Sequence, residues 1–316
     1  MKVIDLINSS KSTAFSFEIL PPLKGNSIQK VYNVIDKLIE FDPKYINITS
    51  HHSEYIYKTL PDGSFQKINI RKRPGSVAIA SAIQNKYGIT AVPHIICKGF
   101  TKDETEYALI DLNFLGVYDL LLLRGDVKTL EAGQKTDIYH EHATDLQKQV
   151  NDFNKGIAID GSAFEANETP FSYGMACYPE KHEEAPNMES DIFYLKEKVK
   201  NGADYLVTQM FFDNEKYYAF VDRCRAEGIT VPIIPGIKPI VFKNQLTVLP
   251  KIFRSDIPEL FATELRKCKT DDEAKAVGVE WCIQQCKDLI AHGVPSLHFY
   301  TMMASDSVYK VAKEVY

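Results

Sequence analysis

The chain has 316 residues, 45% of them hydrophobic, enough to bury a sizeable core and too apolar for a disordered segment. Its 37 basic and 42 acidic residues leave a net charge of -5, with both signs interspersed, which argues against a nucleic-acid partner held by phosphate neutralisation. The opening Met1-Lys2-Val3-Ile4-Asp5-Leu6 lacks the apolar run of a signal peptide, and no segment reaches membrane-spanning length, so a cytoplasmic protein that does not bind membranes is expected.

In chain order, apolar runs suited to buried strands fall near residues 14–18, 44–49, 89–95, 118–124, 171–178, 204–209, 231–237 and 296–301. Segments of helical periodicity fall near 27–41, 75–87, 102–115, 139–154, 188–201, 214–227, 256–268, 272–291 and 305–314. Thr101 ahead of Lys102-Asp103-Glu104 reads as an N-cap, and Asn201-Gly202 as a helix stop. Strict alternation, with no Pro/Gly-rich linker, predicts an α/β fold: a (β/α)8 TIM-type barrel forming a single domain over residues 1–316. Three connections are long for a barrel. Residues 50–74 and 126–138 follow strand C-termini and read as ligand-covering loops, while 155–170 reads as a surface excursion.

Each strand ends in a polar group, and that end is where barrel enzymes assemble their sites. Leu120 to Leu123 runs into Arg124-Gly125-Asp126, Phe17 leads to Glu18, Ile48 to Thr49, Val92-Pro93 to His94, and Thr208 to Gln209. Glu18 is followed by Ile19-Leu20-Pro21-Pro22; burial there would raise its pKa and suit it to general-acid work, the alternative being a carboxylate paired with a buried Lys or Arg. Arg124 and Asp126 either serve a ligand on both sides of Gly125 or pair with each other. His94 is a ligand contact or a satisfied core histidine. Tyr178-Pro179-Glu180-Lys181-His182-Glu183 gathers an aromatic ring, acids and a histidine after the fifth strand.

His51-His52 with Glu54 reads as loop surface, since neighbours on an extended segment point apart. Cys282 and Cys286 read as small buried hydrophobes on one helix face, and no metal site is expected. No Rossmann or Walker glycine fingerprint follows any strand, so a nucleotide cofactor would be held in another way.

With these segments assembled, the chain resembles the methylenetetrahydrofolate reductases, in their short bacterial form. The resemblance runs from Phe15 to about Tyr309. It is carried in order by Ser16-Phe17-Glu18-Ile19-Leu20-Pro21-Pro22, Ala91-Val92-Pro93-His94, Leu123-Arg124-Gly125-Asp126, Ala176-Cys177-Tyr178-Pro179-Glu180-Lys181-His182, Lys198 with Asn201-Gly202-Ala203, Thr208-Gln209-Met210-Phe211-Phe212-Asp213, Ile234-Pro235-Gly236-Ile237 and His298-Phe299-Tyr300-Thr301.

The resemblance implies a flavoprotein that binds FAD in the barrel, takes hydride from NADH or NADPH, with NADH favoured, and passes it to methylenetetrahydrofolate in ping-pong order. It implies Glu18 as the general acid that opens the folate ring, and Asp126 as a pterin contact that favours the cationic intermediate and tunes the flavin. Gln209, Gln245 and Leu249 are implied substrate contacts. Thr49, His94, Leu123, Arg124, Gly125, Asp126, His142, Ala143, Tyr178, His182, Asp191 and Lys198 are implied FAD contacts. His142-Ala143 stands where the family carries an aromatic followed by alanine, Leu249 where some members carry phenylalanine, and Ala304 where a polar residue is usual. A homo-oligomer is implied, as is the absence of the regulatory domain of eukaryotic relatives. Two other readings share parts of this pattern: a proline-dehydrogenase-like amine oxidase on the same fold, and an electron-transfer subunit that depends on a partner donor.

Overall fold

The computed structural model describes residues 1–51, 54–125, 138–302 and 304–316. The first half of the chain forms α1 (Val3–Ser9), β1 (Ala14–Ile19), α2 (Gln29–Leu38), β2 (Tyr45–Ile48), β3 (Glu54–Thr59), β4 (Phe65–Ile70), α3 (Ser76–Tyr87), β5 (Thr90–Ile96), α4 (Lys102–Phe114), β6 (Asp119–Leu123) and α5 (Ala143–Asn154). The second half forms β7 (Ser172–Cys177), α6 (Met188–Lys200), β8 (Tyr205–Thr208), α7 (Asn214–Ala226), β9 (Ile233–Ile234), β10 (Gly236–Ile237), α8 (Gln245–Phe253), α9 (Glu259–Lys267), α10 (Asp271–Ala291), β11 (Ser296–Tyr300) and α11 (Ser305–Val315).

One sheet runs in the order β10-β11-β1-β2-β5-β6-β7-β8-β9. Its two end members are halves of one strand interrupted at Pro235, which has no amide hydrogen for a ladder. Ile233 and Ile234 pair with β8, whereas Gly236 and Ile237 pair with β11. The order therefore returns to its starting segment, which makes the fold the predicted (β/α)8 TIM-type barrel. All eight expected strands are present at their expected places.

The chain packs as two compact units: Met1–Ile19, Val34–Asn47 and Ser172–Tyr316 make one, and Leu20–Asn33 with Ile48–Phe171 make the other. In the first unit β1 lies parallel to β11, with Ser16 level with His298, Phe17 with Phe299 and Glu18 with Tyr300. Alternation sends these residues to opposite faces. Phe15 packs against Phe41, Phe299 and Tyr316 on one face. On the other, the Ser16 hydroxyl meets His298 Nδ1 at 2.9 Å and the Tyr45 ring stacks on His298. Burial holds His298 neutral, with its pKa down to about 3, and pushes the Tyr45 phenol up to about 12.

In the second unit β5 and β6 pair in parallel, with His94 level with Leu121. α4 starts at a reciprocal cap: Glu104 N–H donates to the Thr101 hydroxyl at 3.1 Å, and Thr101 N–H to the Glu104 carboxylate at 2.8 Å. The expected N-cap is thus in place, and Asn201 closes α6 as expected.

The 50–74 stretch differs from the expected loop. It carries an antiparallel hairpin of β3 and β4, from Glu54 opposite Ile70 to Thr59 opposite Phe65. The turn is built by Asp62, whose carboxylate accepts from Ser64 N–H and hydroxyl, with Gly63 at φ +81°. Of the 126–138 loop, residues 126–137 lie outside the described residues. The 155–170 stretch is the expected surface excursion, with many exposed residues pinned by a bridge between Ile157 and Ala163. Helices α1 and α8 were not expected, and α5 starts at Ala143, not near 139. Among the described residues no helix is long and apolar enough to cross a membrane.

Candidate active site

In the first unit, Glu18 is the penultimate residue of an entirely buried strand and is 9% exposed. Loss of hydration pushes its carboxyl up to about 8, against the pull of Lys238, so near neutral pH it carries a proton. Burial dominates this shift, and the charge of the buried Lys238 acts against it. Lys238, 4% exposed, follows β10, and burial lowers its pKa while Glu18 raises it. The Glu18 backbone is also held: its carbonyl accepts from the Thr301 hydroxyl at 2.5 Å. Tyr300, level with Glu18, donates its phenol to the Thr208 carbonyl at 2.6 Å.

A second group surrounds the end of β7. The Tyr178 and His182 rings meet edge to face at 4.7 Å. Asp191, in the first turn of α6, accepts from His182 N–H at 2.8 Å. Lys198, two helical turns further along the same face, donates to the Ala176 carbonyl at 3.0 Å. Gln209 follows β8, donates its backbone N–H to the Cys177 carbonyl, and accepts from Met210 N–H through its side chain. The structure thus brings Tyr178, His182, Asp191, Lys198 and Gln209 around one strand end. Gln245 stands apart from them in contact: its side-chain oxygen accepts from Val241 and Phe242 N–H and shapes the turn before α8. Leu249 is buried in an apolar cluster with Met210, Phe212, Ile240 and Phe261.

In the second unit the Thr49 hydroxyl lies 3.3 Å from His51 Nε2. His94 is 3% exposed, and its carbonyl accepts from the Ser50 and Ser76 hydroxyls. Leu123 ends β6 and Arg124 follows it, their carbonyls accepting from Cys97 and Lys98 N–H. Gly125 sits at φ +82°, a left-handed conformation that favours glycine, with Ile96 packed 3.4 Å from where a Cβ would be. His142 is exposed and precedes α5, its N–H bonded to Asp145 at 2.9 Å, with Ala143 as the first helical residue. Asp126 lies outside the described residues, as do His52 and Ser53. Cys282 and Cys286 are buried, as expected.

Strand-end reading passed over Lys238 and Tyr300. The signal was present: Lys238 follows Ile237 just as Glu18 follows Phe17, but the segment was valued for Pro235-Gly236.

A family model described as methylenetetrahydrofolate reductase matches residues 2–316. The chain belongs to the methylenetetrahydrofolate reductase family. A 5,10-methylenetetrahydrofolate reductase of Escherichia coli (strain K12) is 30% identical over 94% of this chain and 88% of its own length. A probable methylenetetrahydrofolate reductase (NADPH) of Caenorhabditis elegans is 30% identical over 99% of this chain and 43% of its own. The chain thus spans less than half of that relative and most of the bacterial one. Among solved structures, an uncharacterized protein from Clostridium thermocellum, described as binding two copies of 5-methyl-5,6,7,8-tetrahydrofolic acid, aligns over 98% of both chains with a TM-score of 0.54 and 15% identity. That likeness bears on the fold alone.

Proposed function

We propose that this member of the family reduces 5,10-methylenetetrahydrofolate to 5-methyltetrahydrofolate, with FAD as cofactor and NAD(P)H, NADH favoured, as reductant in ping-pong order. The observation that carries the reading is Glu18: a carboxyl buried at a strand end and held protonated near neutral pH. Opening the five-membered ring of the folate needs a proton delivered to its nitrogen, and a carboxylic acid with a pKa near the working pH is suited to deliver it.

The residues around β7 fit a flavin nucleotide. The edge-to-face Tyr178–His182 pair offers aromatic surface, and the Lys198 ammonium suits pyrophosphate or flavin oxygens; the Arg124 guanidinium, after β6, has the same chemistry. Bound FAD would supply the hydride chemistry. The chain's own part is to orient it through Thr49, His94, Leu123, Arg124, Gly125, His142, Ala143, Tyr178, His182, Asp191 and Lys198. Gln209, Gln245 and Leu249 would seat the folate, and Asp126 would favour the cationic iminium by its negative charge. We place the protein in one-carbon metabolism and methionine synthesis, as a cytoplasmic single-domain homo-oligomer.

Anaerobic stopped-flow absorbance tests the reading. Bleaching of bound flavin by NADH, then reoxidation on adding methylenetetrahydrofolate, is the expected result. Bleaching without reoxidation would assign another acceptor, and a flavin that NADH never bleaches would point to a different donor, as an amine oxidase would have, or to a required partner.

A further inference from the structure

Lys238 is a cation buried beside an acid, and the proposed reaction gives it no part. Its position follows from strand register. Gly236 is level with His298, and His298 with Ser16; Ile237 is level with Phe299, and Phe299 with Phe17. One residue further on, Tyr300 is level with Glu18, and Lys238 is the residue directly after β10. Alternation returns Tyr300 and Glu18 to the face that carries Ser16 and His298, and the buried Lys238 follows Ile237 directly. Gly236 keeps that layer tight: a Cβ there would fall 2.3 Å from the Thr208 carbonyl oxygen and 2.5 Å from the Tyr300 ring. The Gly236 N–H donates to the Thr208 hydroxyl at 2.9 Å.

We propose that Lys238 is a positioning residue for Glu18: its buried ammonium, directly after the strand that pairs with β11, sets the charge environment of the acid on β1, the other neighbour of β11. The proposal rests on Glu18 acting as the acid, and it extends that role to a second residue. The other titratable groups facing this layer are Tyr300 from β11, Tyr45 from β2, Cys177 and Tyr178 at the end of β7, His298 below and Cys282 from α10. Burial pushes the Tyr300, Tyr45 and Cys177 groups up and His298 down, so all four stay neutral across the physiological range. Lys238 is the charge among them that opposes the effect of burial on Glu18. With Lys238 in place the carboxyl releases its proton near pH 8; without it, burial alone would hold the proton to higher pH and weaken the acid.

The test reads the carboxyl directly. Difference infrared spectra over a pH series would be recorded for the flavin-loaded protein, with Glu18→Gln identifying the Glu18 band. In Lys238→Met the midpoint is expected to rise by about one unit or more, the effect of removing an opposite charge, and in Lys238→Arg to stay near the parent value. An unchanged midpoint in Lys238→Met would overturn the proposal. Should that variant fail to fold, lysine side-chain NMR of the parent protein decides. A Lys238 signal that steps at the Glu18 midpoint, and loses the step in Glu18→Gln, is expected, and a Lys238 signal with no such step would overturn the proposal equally. Neither readout needs folate turnover, so failure of the reductase reading, seen by stopped-flow, stays distinguishable from failure of this one.

Discussion

At the scale of the residue, the central quantity is the proton on Glu18. Replacing the acid with an isosteric amide removes the proton and little else, so Glu18→Gln is expected to retain flavin and its reduction by NADH while folate reduction falls by roughly 10²–10⁴-fold, the usual weight of general acid catalysis. Stopped-flow of the two half-reactions separates them, and loss of both would remove the assigned role. The same proton enters stability. Folding raises the carboxyl from 4.5 to about 8, so across that interval the folded chain holds a proton that the unfolded chain has released. The stabilisation is complete below 4.5 and is lost as pH rises through 8. Urea unfolding is therefore expected to give a lower free energy at about pH 8 than at about pH 5, with the difference reduced in Glu18→Gln. Lys198 is weighed differently. Its ammonium already donates to the Ala176 carbonyl, so Lys198→Ala tests whether it also serves the cofactor. A several-fold rise in the FAD dissociation constant by titration is expected, and full flavin loading would return Lys198 to a purely structural part.

At the scale of the element, the strands were legible because each is a short run of apolar residues that a parallel sheet buries on both faces, as in Ala14–Ile19 and Tyr45–Ile48. The hairpin of β3 and β4 was readable too and was missed. Leu60-Pro61-Asp62-Gly63-Ser64 is a turn signal between two β-prone runs, masked by the basic and aromatic residues around it. α1 was not readable: seven residues with two buried positions give no usable period. Long α10 has a glycine where an isolated helix would favour alanine by about 1 kcal/mol. A Cβ at Gly278 would fall 2.0 Å from the Ile240 carbonyl oxygen and 2.8 Å from its carbon, and backbone cannot swing aside. Gly278→Ala is therefore expected to destabilise by about 1–3 kcal/mol in denaturant unfolding, against the helix preference.

At the scale of the whole molecule, the sequence reads as a single domain, and the chain packs as two compact units that interleave along the sequence. Trp281 stacks on Phe261 at 4.5 Å within the first unit and reports that unit alone. Far-ultraviolet circular dichroism reports helices of both. The single-domain reading expects coincident urea transitions by the two probes, and separated midpoints would make the units independent domains. Composition contributed at this scale by exclusion: a net charge of -5 with both signs interspersed argues against a nucleic-acid partner held by phosphate neutralisation.

The sequence by itself determined the alternation of strand and helix, and hence the barrel, because burial on both faces and helical amphipathicity are local patterns that survive in one dimension. It also determined the polar strand ends, Glu18 among them, because an apolar run broken by one charged group is visible without coordinates. Which of those ends meet was decided by tertiary structure. Register set Glu18 beside Tyr300, and the segment after Pro235 pairs with β11 and runs directly into the buried Lys238. The α6 helix returned Asp191 and Lys198 to the end of β7. The protonation of Glu18 belongs to the same class, since a pKa answers to the water removed and the charges brought near, both created only when segments far apart in the chain pack together.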